Sequence, residues 1–174
     1  MEEINIVSLK LVKDKTIKDK YKDSLNNQNK VATIIKDLIG DSNKEIFGVV
    51  CLDTKLKPTN ISITAIGGIS ICQVNLTEII KIALLSNAYR VIAFHNHPSG
   101  DLIPSNSDIV STYELMKIAS LFRIKVEDHI IVGFDNDNIF SMQANNIIDR
   151  IYEKISLENS EPPSSIEDEI DLQL

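Results

Sequence analysis

The stretch RVIAFHNHPSGDLIPSNSD, residues 90–108, contains two of the three histidines of the chain. They stand two positions apart, at the end of an apolar run that is typical of a buried strand. In a strand, residues i and i+2 project to the same face, and Pro98 favours extended backbone at the residue before it. We therefore predict that His95 and His97 lie side by side, with Asn96 pointing away from them.

Two neutral imidazoles on one face are half of a zinc site, and a catalytic site needs one more protein ligand and a water. Asp108 is the nearest candidate, because the turn with Gly100 and Pro104 can bring the following helix back over the strand end. A second interpretation needs no metal. Ser105 with Asp108 three residues later also resembles a capping box, and two histidines can simply end a strand as polar residues.

Hydrophobic periodicity outside this stretch predicts an α/β fold, with a mixed β-sheet flanked by helices. We expect residues 13–29 to form a loop. The predicted helices cover residues 31–39, closed by Gly40, then 75–88 with Asn75 or Thr77 as N-cap, and 107–122. The predicted strands cover residues 4–12, 46–52, 61–66, 69–74, 90–94, 124–133 and 139–142.

Charge divides the chain unevenly. Residues 153–174 carry seven acidic side chains against Lys154 alone, which accounts for −6 of the net charge of −7. Acids, serines and two prolines predict a disordered tail there, although the spaced apolar residues of IEDEIDLQL leave a short docking helix as an alternative. The expected organisation is an N-terminal strand and helix extension (residues 1–42), a central domain (43–152) and the acidic tail (153–174).

Composition excludes several classes of protein. No apolar run approaches the roughly 18 residues of a membrane helix, and the acidic N-terminus is unlike a signal peptide, so we expect a soluble cytoplasmic protein without a membrane partner. Cys51 and Cys72 form no C-x-x-C pair and lie in apolar runs, which favours two buried thiols. A nearly neutral body lacks the basic surface that phosphate binding requires, which argues against nucleic acid as the main ligand.

The pattern His95-x-His97-Pro98, followed by Ser105-x-x-Asp108, resembles the JAMM motif of JAB/MPN-type zinc metalloproteases. The full string HNHPSGDLIPSNSD is similar to the RadC-like branch of that family. EIFGVVCLD, TEIIKIALLSNA and DHIIVG match the branch in order and spacing, so the resemblance covers roughly residues 43–142. Two features depart from it. Leu102 stands where the branch often has proline, and residues 1–42 lack the helix-hairpin-helix region of longer RadC-type proteins.

The resemblance implies a JAB/MPN fold of cytidine-deaminase-like architecture and a Zn²⁺ ion bound by His95, His97 and Asp108. It also implies hydrolysis of a protein or peptide, including a ubiquitin-like conjugate, by zinc-bound water. Glu45 would be the general base, and Ser105 would donate to the oxyanion. The residues alone favour a solvated charge at a strand end for Glu45, and Glu78 is a competing carboxylate.

Other hypotheses remain open. Asp128-His129 belongs to the resemblance, either as a device that orients a ligand imidazole or as a buried structural pair. The leading function is a zinc metallopeptidase or isopeptidase. The alternatives are a DNA-associated protein of RadC type and a metal-free scaffold on the same fold.

Overall fold

We describe a computed structural model of the chain, which covers residues 11–13, 28–67, 74–134 and 138–160. The predicted strand at residues 69–74 falls outside these ranges except for Val74, which is irregular. Most of the predicted strand at residues 4–12 also lies outside, and its described end at Leu11 and Val12 is not in a strand. The last residues, 161–174, are outside the described part as well.

Four helices and five strands form the described structure. The predicted helices at residues 75–88 and 107–122 and the predicted strands at residues 46–52, 61–66, 90–94, 124–133 and 139–142 are confirmed apart from small differences at their ends, whereas the helix that begins at Ile147 was not predicted. Asn75 caps α2 by accepting a hydrogen bond from the Glu78 N–H, as one of the two predicted caps. The elements in chain order are α1 (Gln28–Ile39), β1 (Ile46–Leu52), β2 (Pro58–Ile66), α2 (Leu76–Leu85), β3 (Arg90–His97), α3 (Asn106–Leu121), β4 (Lys125–Gly133), β5 (Ile139–Ser141) and α4 (Ile147–Ser160).

The five strands form one mixed sheet in the order β2-β1-β3-β4-β5. Only β3 and β4 pair in parallel, while β1–β2, β1–β3 and β4–β5 are antiparallel. Parallel neighbours need a crossover connection, and α3 supplies it between β3 and β4. This β3–α3–β4 unit brings the carboxyl end of β3 next to the first turn of α3. The predicted fold class, a mixed sheet with flanking helices, is confirmed.

The sheet has a separate apolar cluster on each face. One cluster combines alternate residues of the central strands with buried residues of α2, α3 and α4. The other packs α1 against the opposite face through Val31, Ile34, Ile35 and Ile39. Helix α1 was predicted within an N-terminal extension, but its buried face makes it part of the same packed body as the sheet.

The predicted start of the disordered tail at residue 153 is wrong, because helix α4 extends beyond it. It continues to Ser160, so residues 153–160 are helical where disorder was predicted. The acids and prolines of this region favour a disordered tail. However, Ile148, Ile151 and Ile155 recur at helical spacing, and all three are buried in the cluster that contains α2 and α3. Glu158 of the same helix accepts hydrogen bonds from the Tyr113 hydroxyl and the Lys117 ammonium group on α3.

We expect Ile155→Ala to destabilise the protein by about 2–5 kcal/mol, because truncating a buried isoleucine leaves a cavity in the core. Leu157→Ala is the matched control two residues away. Its side chain is 68% exposed, so the free energy of unfolding should change by no more than about 0.5 kcal/mol. Denaturant melts of both variants measure the difference. Equal effects would mean that the end of α4 does not pack as described.

Within the described residues, none of the helices is both long enough and apolar enough to cross a membrane. Cys51 is a buried free thiol, as predicted, and burial raises its pKa to about 11. Cys72 lies outside the described residues.

Candidate metal centre

Two strand histidines and one helix aspartate converge at the carboxyl end of β3. The strand continues through His97, which places both imidazoles on one face as predicted. The Nε2 atoms of His95 and His97 are 2.9 Å apart, and Asp108 Oδ1 lies 3.3 Å from His95 Nε2. Asp108 Oδ2 lies 3.6 Å from His97 Nε2. One potential ligand atom from each of the three residues therefore faces a common point, all within 4.8 Å of one another.

These separations fit a tetrahedral zinc ion. Nitrogen and oxygen ligands lie about 2.0–2.1 Å from zinc, so two of them in a tetrahedral arrangement are about 3.3 Å apart. The observed separations of 2.9, 3.3 and 3.6 Å lie around that spacing. Two imidazoles and one carboxylate also form a donor set that zinc accepts in catalytic sites, where a fourth position stays open. The residues therefore fit the metal that the sequence predicts.

The Asp108 carboxylate is oriented by the cap of its own helix. Asp108 Oδ2 accepts hydrogen bonds from the Ser105 N–H at 2.7 Å and from the Ser105 hydroxyl at 2.6 Å. The Ser105 oxygen in turn accepts from the Asp108 N–H, which completes a capping box. This arrangement leaves Oδ1 directed at His95. The capping box and the metal ligand, alternatives in the sequence, are thus compatible functions of one side chain.

Protonation of the three residues follows from their surroundings. Burial lowers the pKa of His95 to about 4, which keeps this imidazole neutral at neutral pH. A hydrogen bond with Asp108 raises the pKa of His97. For Asp108, burial acts to raise the pKa, but the nearby His97 imidazole and the hydrogen bonds from Ser105 hold it below its usual range. His97 Nδ1 also lies 2.6 Å from the Asp101 carbonyl, so Nδ1–H donates there and Nε2 faces the centre.

Glu45 lies on the same face, directly before β1. Phe47 pairs with His95 across the antiparallel strands, and extending this register by two residues places Glu45 opposite His97. Burial, followed by the negative charge of Asp108, raises the pKa of Glu45, while His97 acts to lower it. Glu45 is therefore a half-buried carboxylate within electrostatic reach of the centre. The competing Glu78 is exposed in the first turn of α2.

Asn96 fixes the segment that carries Glu45, a function that the sequence analysis missed. Its amide oxygen accepts from the Ile46 N–H at 2.8 Å, and its amide nitrogen donates to the carbonyls of Ser42 and Lys44. The side chain is fully buried. Asn96 points away from the two histidines, as predicted, and there it holds the backbone on both sides of Glu45.

Asp128 and His129 have separate functions. Asp128 accepts hydrogen bonds from the Ser141 hydroxyl and from the N–H groups of His129 and Gln143, so it is a structural residue at the β4–β5 end. His129 points to the centre, where its Nε2 lies 2.8 Å from His95 Nδ1. His129, and not Asp128, therefore contacts the imidazole of a candidate ligand.

The fold is a mixed β-sheet flanked by helices, with a His-x-His pair at the end of one strand and an aspartate in the following helix. This arrangement defines a JAB-type domain with a candidate metal centre. The chain belongs to the family of the RadC-like JAB domain, which it matches over residues 25–147. It is 41% identical over 116 residues to a UPF0758 protein of Finegoldia magna, an alignment that covers 67% of this chain and 52% of that protein.

Similar relatives occur in other organisms. A UPF0758 protein of Psychrobacter sp. is 36% identical over 121 residues, covering 70% of this chain and 54% of the relative. One of Methanosarcina barkeri is 38% identical over 103 residues, covering 59% and 45%. The chain thus spans about half the length of the curated relatives it matches.

Proposed function

We propose that this domain is a zinc-dependent hydrolase that cleaves peptide or isopeptide bonds in a protein substrate. The observation that carries the proposal is the convergence of His95, His97 and Asp108 on one point, with the Glu45 carboxylate beside them. A metal ligand set alone would also suit a structural site. A half-buried carboxylate with a raised pKa next to that set is the additional group that hydrolysis needs.

His95, His97 and Asp108 would hold the ion. When bound, zinc would supply a Lewis acid and lower the pKa of a water molecule at its open position to about 7. Glu45 accepts a proton from the attacking water and then transfers it to the leaving amine. Burial favours this task, because a carboxylate whose pKa is raised toward the working pH both accepts and releases a proton readily.

Ser105 is proposed as the donor to the developing oxyanion. Its hydroxyl donates to Asp108 Oδ2 and lies 2.8 Å from the Ser107 hydroxyl. To stabilise an oxyanion, the hydroxyl must rotate away from the carboxylate, and the Ser105 N–H then still holds Oδ2. This role remains a prediction, whereas the capping contacts of Ser105 are part of the structure.

Exposed apolar side chains near the centre support a peptide substrate. Ile103 is in the loop after His97, and Phe134 directly follows β4; both side chains are exposed. The Phe134 N–H donates to the His97 carbonyl, which fixes it beside the centre. Extended chains with apolar side chains, including the flexible end of a ubiquitin-like conjugate, have suitable chemistry for this surface.

We expect the purified protein to contain about one zinc ion per chain, the stoichiometry of a three-residue catalytic site. Dialysis against a chelator should remove the metal and abolish hydrolysis of a quenched-fluorescent peptide library and of lysine ε-linked isopeptides, and zinc should restore both. Elemental analysis and fluorescence measure the two effects. Hydrolysis that continues in metal-free protein would contradict the proposal.

Titration of the protein with duplex DNA over a salt series tests the RadC-type alternative.

A further inference from the structure

A chain of short hydrogen bonds connects the ligand His95 to the backbone of the ligand Asp108. His95 Nδ1 lies 2.8 Å from His129 Nε2, and His129 Nδ1 lies 2.6 Å from the Thr112 hydroxyl. The Thr112 hydroxyl in turn lies 2.6 Å from the Asp108 carbonyl oxygen, to which it can donate. The chain therefore begins at one predicted metal ligand, passes through His129 and Thr112, and ends at the backbone of another predicted ligand.

The positions of the protons along this chain determine whether His95 Nε2 presents a lone pair or an N–H group to the centre. His129 is fully buried, and its two ring nitrogens face only uncharged groups, the His95 ring and the Thr112 hydroxyl. Burying a charge without an ionic partner is costly. The ring is therefore neutral, with one donor and one acceptor nitrogen. If His129 Nδ1 carries the proton, it donates to Thr112, and His129 Nε2 accepts from His95 Nδ1–H. His95 Nε2 then directs a lone pair at the centre.

The opposite tautomer would be unsuitable for metal binding. In that state His129 Nε2–H donates to His95 Nδ1, and His95 carries its own proton on Nε2, which faces His97 Nε2 at 2.9 Å and Asp108 Oδ1 at 3.3 Å. The Thr112 hydroxyl must then donate to His129 and cannot also donate to the Asp108 carbonyl at 2.6 Å. Each arrangement leaves one short contact without a proton. In the first it is the pair of His95 Nε2 and His97 Nε2 at 2.9 Å, and in the second it is the Thr112 hydroxyl and the Asp108 carbonyl. Only the first arrangement directs the lone pairs of both Nε2 atoms at one point, and a cation bound there would satisfy both of them.

Packing holds the two rings in this relation. Phe47 stacks on His95 with ring centroids 6.0 Å apart and meets His129 edge-on at 5.4 Å. His129 comes from β4 and Thr112 from α3, the two elements that follow the ligand strand β3 in the crossover unit. The same tertiary contacts that bring Asp108 to the histidines therefore also place His129 and Thr112 behind His95.

We propose that His129 is a positioning residue for the metal centre: it accepts the His95 Nδ1–H hydrogen bond, and Thr112 fixes the tautomer in which it can do so. This inference rests on the proposed zinc site but does not depend on the substrate. Partners of this kind set ring orientation and ligand basicity, and their loss typically lowers metal affinity by about 10–100-fold.

The test compares His129→Leu, which removes the acceptor, with His129→Gln, whose amide oxygen can take the place of Nε2. Zinc affinity is measured in the full chain by competition with a chromophoric chelator, and thermal melting of the metal-free protein is recorded alongside. We expect His129→Leu to weaken zinc binding by about 10–100-fold and His129→Gln to recover most of this loss. The visible absorption of bound Co²⁺, which reports ligand geometry, should change in the leucine variant and resemble wild type in the glutamine variant.

Thr112→Val and Thr112→Ser give a second pair in case the leucine variant does not fold. Valine keeps the shape of threonine but cannot accept the His129 proton, so zinc affinity should fall, whereas serine should keep it. Zinc affinity unchanged in folded His129→Leu, or in Thr112→Val, would overturn the inference and leave the proposed hydrolase intact. Conversely, a wild-type protein that binds zinc at this site, responds to these variants and cleaves no peptide would overturn the hydrolase and leave the inference standing.

Discussion

The double variant His95→Ala, His97→Ala is expected to purify without bound zinc. It removes two of the three protein ligands, and Asp108 with water does not form a zinc site on its own. The cluster of His95, His97 and Asp108 is the set of potential metal ligands found in the described part of the chain. Zinc content should therefore fall from about one ion per chain to background, measured by elemental analysis of protein prepared without a chelator.

Folding must be checked in the same samples, because His95 is fully buried. Its loss leaves His129 Nε2 without its hydrogen-bond partner, at a cost of about 1–3 kcal/mol for an unsatisfied buried group. His97→Ala alone is the milder variant, since the His97 side chain is partly exposed. It should keep the fold, shown by its melting transition, and still lose most of the metal. Zinc retained undiminished in the double variant would disprove the ligand assignment.

Glu45→Gln is expected to lower the hydrolysis rate by about 10²–10⁴-fold, the usual contribution of a positioned acid–base group. Glutamine keeps the size of the side chain but cannot accept the proton. Zinc should stay bound, because Glu45 is not among the three converging ligands. The variant is therefore assayed for both zinc content and turnover of the peptide and isopeptide probes.

Glu78→Gln provides the matched control, because Glu78 is the other carboxylate that the sequence put forward and is exposed on α2. Its turnover should equal that of wild type. If Glu45 were only a charge at the end of a strand, Glu45→Gln would leave activity intact and change stability by less than about 0.5 kcal/mol. Full zinc with wild-type turnover in Glu45→Gln would exclude the general base role.

Local sequence patterns were sufficient for most described elements of the central domain and for the three residues that converge at the candidate metal centre. Strand β1 was predicted at its observed bounds, Ile46–Leu52, because a short apolar run between turn residues is typical of a buried strand. The i, i+2 spacing of His95 and His97 places them on one face of any strand, whatever surrounds it. Such features depend on neighbours in the sequence, and the sequence contains them directly.

Local patterns did not predict the full extent of α4, because its composition indicates a solvated segment whereas its isoleucines pack in the core. The acids of residues 153–160 predict a solvated tail, but three isoleucines on one face of the helix are buried in the core. Helices of this kind gain most of their stability from tertiary packing and not from propensity. The helix could have been found from the spacing of Ile148, Ile151 and Ile155, had that signal been weighed above charge.

The sequence by itself determined that two histidines share a strand face and that a capped helix with an aspartate follows them. Only the tertiary structure decided which side chains surround that centre. Strand register placed Glu45 opposite His97, buried Asn96 beneath the Glu45 segment, and directed His129, not Asp128, at His95. These partners are separated by 34 to 54 residues along the chain. A hydrogen bond over such a separation depends on how strands pair and helices pack, and no local pattern encodes that.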